Sequence, residues 1–225
     1  MGLLGRLSKN NKKKETGRKP KIALCLGGGG ARGFAHLGAL KVFEEEGFDF
    51  DLCVGTSVGS LVGAFYSSGI AIDQLIAYSH EIDVKDVKTG KLFFPSEPLA
   101  IGELFTRRMG NMHIEDMVKP FYCVAVDIVS GKEVIFDKGS VSQAISASCA
   151  VPLIFKPVII GDKHLVDGGV LNNIPASVCK MLGADFVVTE VHTREKDSWN
   201  GRRHGSSGRC QTCHSRHGTY SQGQP

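Results

Sequence analysis

Twice over residues 22–69 the chain runs from a short apolar stretch through a glycine-rich turn straight into a helical pattern. No other feature of the sequence restricts the fold as much. Ile22–Leu26 reads as a buried strand and Gly27–Gly30 as the turn. Phe34, Leu37, Leu40 and Phe43 form the apolar stripe of a helix that stops at Gly47. Phe50–Val54, Gly55-Thr56-Ser57-Val58-Gly59 and Ser60–Ser68 repeat the plan, with Gly69 as the stop. Strands joined through helices cross over and pair in parallel, so this alternation predicts an α/β domain with a largely parallel central sheet and helices on both faces.

The rest of the chain fits the same plan. Residues 71–118 are less regular and are predicted to be mostly helical, with Leu92, Phe93, Phe94, Leu99, Leu104 and Phe105 giving unusual apolar content for a connector. Strands are expected at Phe121–Ile128 and Glu133–Phe136 around the turn Ser130-Gly131. A second hairpin, Val158–Ile160 with His164–Val166, turns at Gly161-Asp162. Val141–Ser148 and Ala176–Leu182 read as helices, and Phe186–Val191 as the last buried strand.

The net charge of +4 over 225 residues conceals three unlike pieces. Residues 1–21 carry +7, residues 22–193 carry −7 and residues 194–225 carry +4. The basic charge belongs to the ends, which excludes a domain-wide nucleic-acid surface. Residues 1–21 read as a mobile basic arm, either a solvated tail or a contact for anionic lipid headgroups. Residues 22–192 form the folded domain. Residues 193–225 contain no Leu, Ile, Val, Met or Phe, cannot bury a core and are expected to be disordered. An aberrant gene end would explain so abrupt a break, and sequencing the locus would check it. Cys210-Gln211-Thr212-Cys213-His214 in this tail matches the haem-attachment pattern by letter, but nothing around it supports a haem pocket. No run approaches the 18–20 apolar residues that span a bilayer. No secretory core is present, and Arg6 stands where the myristoylation pattern wants Ser or Thr. Of the seven cysteines, an odd count, the first three, Cys25, Cys53 and Cys123, sit in apolar runs and read as reduced core thiols. The expected location is the cytoplasm, with peripheral contact at the inner membrane face left open.

The chemistry concentrates at the two turns. Gly55-Thr56-Ser57-Val58-Gly59 places a serine between strand and helix, where a sharp turn exposes a nucleophile and Gly55 and Gly59 relieve crowding. The first turn, Gly28-Gly29-Gly30-Ala31-Arg32-Gly33, has two readings. Its amides cradle a dinucleotide pyrophosphate, or they stabilise the oxyanion of an acyl transfer begun by Ser57. A ribose-binding acid should end the second strand, but Asp49 and Asp51 lie at its start, which favours the oxyanion hole. Asp167, at a strand end before Gly168 and Gly169, is the best-placed base. The histidines after it, His192, His204, His214 and His217, end a strand or lie in the polar tail, and His36 reads as a packing or capping residue.

Together these blocks resemble the bacterial patatin-like phospholipases. Gly28-Gly29-Gly30-Ala31-Arg32-Gly33, the serine turn, Ala147-Ser148-Cys149-Ala150-Val151-Pro152 and Asp167-Gly168-Gly169 with Asn172-Asn173-Ile174-Pro175 behind it follow in family order and span about residues 21–192. The resemblance implies a three-layer sandwich and hydrolysis of lipid acyl esters of the phospholipase A or lysophospholipase type. It implies Ser57 as nucleophile, Asp167 as proton acceptor, an oxyanion hole from the Gly28, Gly29 and Gly30 amides with Arg32 holding the loop, and no metal or cofactor. The lipid is the implied partner, and residues 92–105 line an acyl groove or simply pack beneath the sheet edge. More folded sequence usually follows the last strand in this family. Two other classes stay open: a dinucleotide-binding module and a catalytically silent membrane-associated scaffold.

Overall fold

Four consecutive buried residues in the first strand set the architecture. In β1 (Ile22–Leu26), Ala23 and Cys25 face one side of a sheet while Leu24 and Leu26 face the other, and all four are fully buried. A strand apolar on both faces needs cover on both. The computed structural model describes residues 18–81 and 99–190. Over these residues the chain forms a seven-stranded sheet between two unequal helical layers.

The larger layer holds α1 (Ala35–Glu45), α2 (Val58–Ser67), α3 (Ile72–Glu81), α4 (Leu99–Met109) and α5 (Val141–Ser148). It packs Leu37, Leu40, Phe65, Leu75, Phe105 and Ile145 against Leu24, Leu26, Cys53 and Cys123. The smaller layer is α6 (Ala176–Met181), whose Val178 and Cys179 cover Ala23, Cys25, Leu52, Val54 and Val124. Leu104 and Phe105 are buried core residues, the latter 5.0 Å from Phe65 between ring centroids, so at these positions packing explains the apolar content. Leu92, Phe93 and Phe94 lie outside the described residues.

The strands are β2 (Leu52–Thr56), β3 (Phe121–Asp127), β4 (Lys132–Phe136), β5 (Val158–Ile160), β6 (Lys163–Asp167) and β7 (Phe186–Glu190). β7, β1, β2 and β3 run parallel in that spatial order, as the crossover plan requires. Beyond β3 the sheet is antiparallel, so the whole is mixed. The two expected hairpins make this flank, because two-residue turns can join only antiparallel strands.

The register of β3 has a consequence for function. One edge of β3 is taken by β4 across residues 123–127. Its other edge is shared. Thr56, the last residue of β2, stands opposite Val124, and Asp167, the last residue of β6, stands opposite Ala125. β2 and β6 therefore run toward each other along one lane and meet end to end. Gly168 makes the meeting possible: a Cβ there would lie 2.3 Å from the Val124 carbonyl oxygen and 3.0 Å from Thr56 Cγ2.

The N-terminal boundary differs from the sequence expectation. Arg18 makes a two-pronged ion pair with Asp185 at 2.9 Å, the Lys21 amide donates to the same carboxylate, and Lys21 Nζ donates to the Leu182 carbonyl. The end of the expected arm is thus tied to the turn before β7. Residues 1–17 and 191–225, including the haem-like motif, lie outside the described residues.

Candidate active site

Ser57 sits between β2 and α2 with φ +53° and ψ −131°, a backbone state L-residues rarely hold. What keeps it there is close packing on either side. A Cβ at Gly55 would lie 2.5 Å from the Gly59 oxygen, and one at Gly59 would lie 2.2 Å from the Leu26 oxygen. Gly55 thus relieves crowding within the turn. Gly59 instead lets α2 lie directly on the end of β1. The Ser57 N–H donates to Ser148 Oγ at 2.8 Å, and that hydroxyl donates on to the Val124 carbonyl at 2.6 Å. Ser60 Oγ adds a bond to the Ser57 carbonyl.

The Ser57 hydroxyl donates to Asp167 Oδ2 at 2.7 Å, across 110 residues of sequence. Asp167 is 5% exposed, and its other oxygen accepts the Gly169 N–H at 2.7 Å. Burial raises the Asp167 pKa above the ordinary carboxylate value, a shift opposed by the bonds from Ser57 and Gly169. Such a carboxylate holds a proton more readily than a solvated one while still accepting hydrogen bonds. Cys149 is buried nearby, its thiol pKa pushed up by burial and by the Asp167 charge. The five described cysteines are all free and buried.

The glycine loop abuts the serine: a Cβ on Gly28 would lie 3.1 Å from Ser57 Cβ and 2.4 Å from Asn173 Oδ1. The Gly28 N–H donates to the Asn173 carbonyl at 3.0 Å, so it does not face an incoming oxyanion as the sequence reading expected. Gly29 caps, and Gly30 opens, a single 3₁₀ turn (Gly30–Phe34), where the first N–H groups precede the turn's own bonding ladder. Arg32 departs from expectation too. Its side chain is exposed and makes no hydrogen bond or ion pair among the described residues. Instead, Asn173 holds the loop, its Nδ2 also donating to the Gly28 carbonyl at 3.4 Å, and Gly33 packs directly on Val58.

Asp49 and Asp51, the acids nearest the dinucleotide spacing, are engaged elsewhere. Asp49 pairs with Lys119, and Asp51 accepts the Ile22 N–H. Three supporting residues had no individual sequence signal: Ser148, Asn173 and Glu190, whose carboxylate meets the ring of His36 behind the glycine loop. The first two lay inside recognisable blocks, yet only contact across the fold gives them a role. Among the described residues, no group of three His, Cys, Asp or Glu is arranged to hold a metal, and no helix is long and apolar enough to cross a membrane.

Several known proteins resemble this chain in sequence. An uncharacterised NTE-family protein of Mycobacterium tuberculosis is 36% identical over 161 residues, covering 70% of this chain and 28% of that protein. A second from the same organism is 31% identical over 176 residues, covering 75% and 48%. A lysophospholipase of Coccidioides immitis is 32% identical over 174 residues, covering 74% and 11%. The chain thus spans less than half the length of these relatives. Because a fungal protein matches alongside bacterial ones, the likeness is not confined to a bacterial branch. Among solved structures, VipD from Legionella pneumophila shares the fold, with a TM-score of 0.59 at 13% identity over 70% of this chain and 47% of that one. The family described as Patatin-like phospholipase matches residues 24–180, most of the described domain, including both glycine turns and Asp167. The chain belongs to the patatin-like phospholipase family.

Proposed function

We propose that this chain is a serine esterase acting on acyl esters of lipids through a Ser57–Asp167 dyad. The observation that carries the reading is the 2.7 Å bond from the Ser57 hydroxyl to a buried carboxylate, made on a strained turn with the glycine loop beside it. Asp167 takes the hydroxyl proton as Oγ attacks the acyl carbonyl. The negative charge on the carbonyl oxygen meets the Gly29 and Gly30 N–H groups. Asp167 then passes the proton to the departing alkoxide, leaving an acyl-serine. Water repeats the sequence: it attacks the acyl carbon while Asp167 takes its proton, and Asp167 returns that proton to Ser57 Oγ as the fatty acid leaves.

Family membership and the lysophospholipase relative support a lipid ester as substrate. We extend the proposal to a cytoplasmic enzyme whose basic residues 1–17 bring an acidic domain to an anionic membrane, measurable as liposome binding that falls with added salt. No observation favours the dinucleotide reading, since the Gly28 N–H that would face a pyrophosphate is bonded to Asn173. The decisive test is labelling by a fluorophosphonate probe together with fatty-acid release from a lipid panel. Wild type should label and turn over, and Ser57→Ala should do neither. A wild-type chain that stays unlabelled while folded, or equal turnover by Ser57→Ala, ends the proposal.

A further inference from the structure

His36 is fully buried in the first turn of α1, and both of its ring nitrogens are engaged. Nε2 lies 2.9 Å from the Gly27 carbonyl, and Nδ1 lies 2.6 Å from Glu190 Oε2. A carbonyl only accepts, so Nε2 carries a hydrogen and donates it to Gly27; the Nδ1 contact shares a second proton with the carboxylate. The ring is therefore gripped from two sides by parts of the chain far apart in sequence. Glu190 is the last residue of β7 and stands in register with Leu26.

We infer that the His36–Glu190 pair positions the oxyanion loop by locking its first peptide plane. This rests on the proposed function, in which the Gly29 and Gly30 amides meet the oxyanion. The Gly27 carbonyl and the Gly28 N–H belong to one rigid trans peptide and point in opposite directions. His36 holds the carbonyl end, and Asn173 holds the N–H end at 3.0 Å. The next plane is held through the Gly28 carbonyl, which accepts from Asn173 Nδ2. The Gly29 N–H in that plane accordingly points away from Asn173. Four glycines in sequence, Gly27–Gly30, would otherwise leave these planes free to rotate. His36 touches neither substrate nor Ser57 in this scheme; it acts through the loop as a positioning residue.

The test uses the full chain and three variants, His36→Leu, His36→Gln and Glu190→Ala, assayed on p-nitrophenyl butyrate and by amide hydrogen exchange. His36→Leu should lower kcat by roughly ten- to a hundred-fold, approaching the loss of an oxyanion donor, with KM within about two-fold. His36→Gln, whose amide can still donate to Gly27, should recover most of that loss. Exchange at the Gly28 amide should rise at least about ten-fold in His36→Leu while β1 stays protected. Glu190→Ala should shift both readouts the same way, and it serves as the test if His36→Leu does not fold. Unchanged Gly28 protection, or His36→Gln no better than His36→Leu, overturns the inference. If the wild type folds but never hydrolyses the ester, the enzyme proposal fails, and hydrogen exchange still decides whether the pair locks the loop.

Discussion

Replacing Gly168 with alanine tests whether the site depends on two strands meeting end to end. The new methyl carbon would lie 2.3 Å from the Val124 carbonyl oxygen. An ordinary close carbon–oxygen contact is about 3.3 Å, so the end of β6 must retreat by about 1 Å. Asp167 immediately precedes the shifted residue and moves with it, while Ser57 stays fixed by Ser148 and by α2 against β1. A misplacement of about 1 Å in a catalytic group costs on the order of 100-fold in rate, close to 2.7 kcal/mol. Overpacking should destabilise the fold by about 1–3 kcal/mol, or about 2–10 °C in Tm for a domain of this size. Gly161→Ala is the control. Gly161 has φ +62° but open space around its Cβ position, so alanine there costs about 1–2 kcal/mol of backbone strain without moving Asp167. Calorimetry should show comparable losses for the two variants, and esterase assays should show kcat falling only for Gly168→Ala, with KM little changed. Wild-type kcat in Gly168→Ala, or equal rate losses in both variants, would refute the reasoning.

Four further outcomes follow from the same geometry. Ser148→Ala leaves the Ser57 N–H without its acceptor, so stability should fall by about 1–3 kcal/mol in denaturant titration and fluorophosphonate labelling should slow. Because Asp167 must be ionised to accept the proton and burial raises its pKa, the acid limb of kcat/KM should lie above the ordinary carboxylate value of 3.8. The sign for stability is the reverse of a salt-bridged acid's. With its folded-state pKa raised, the carboxylate's cost to stability grows as pH rises from the unfolded-state pKa and is complete above the folded-state one, so Asp167→Asn should be inactive yet no less stable at neutral pH, its advantage vanishing as pH falls below the unfolded-state pKa. Gly59→Ala would force α2 off the Leu26 carbonyl, 2.2 Å from the new carbon, and should give a poorly folded, unlabelled chain by circular dichroism and probe assay.

What the sequence determined was local. The apolar runs of β1, β2 and β3, the glycine stops of α1 and α2, and the turn chemistry of both hairpins act over a few residues, so each could be read where it stands. Ser57 on its strained turn belongs to this class, because Gly55 answers crowding inside the same pentapeptide. Tertiary structure decided whatever depends on which strands share an edge. Ser57 and Asp167 meet because β2 and β6 split one side of β3, a register that no local pattern encodes. The Gly28 amide turns away from the serine because Asn173, 145 residues later, accepts it, and the exposed Arg32 leaves the task of holding the loop to that asparagine. His36 looked like a packing residue until β7 brought Glu190 to its ring. Short-range sterics and hydrophobic period write the elements into the sequence, whereas long-range hydrogen bonds choose which residues act together once the chain has closed on itself.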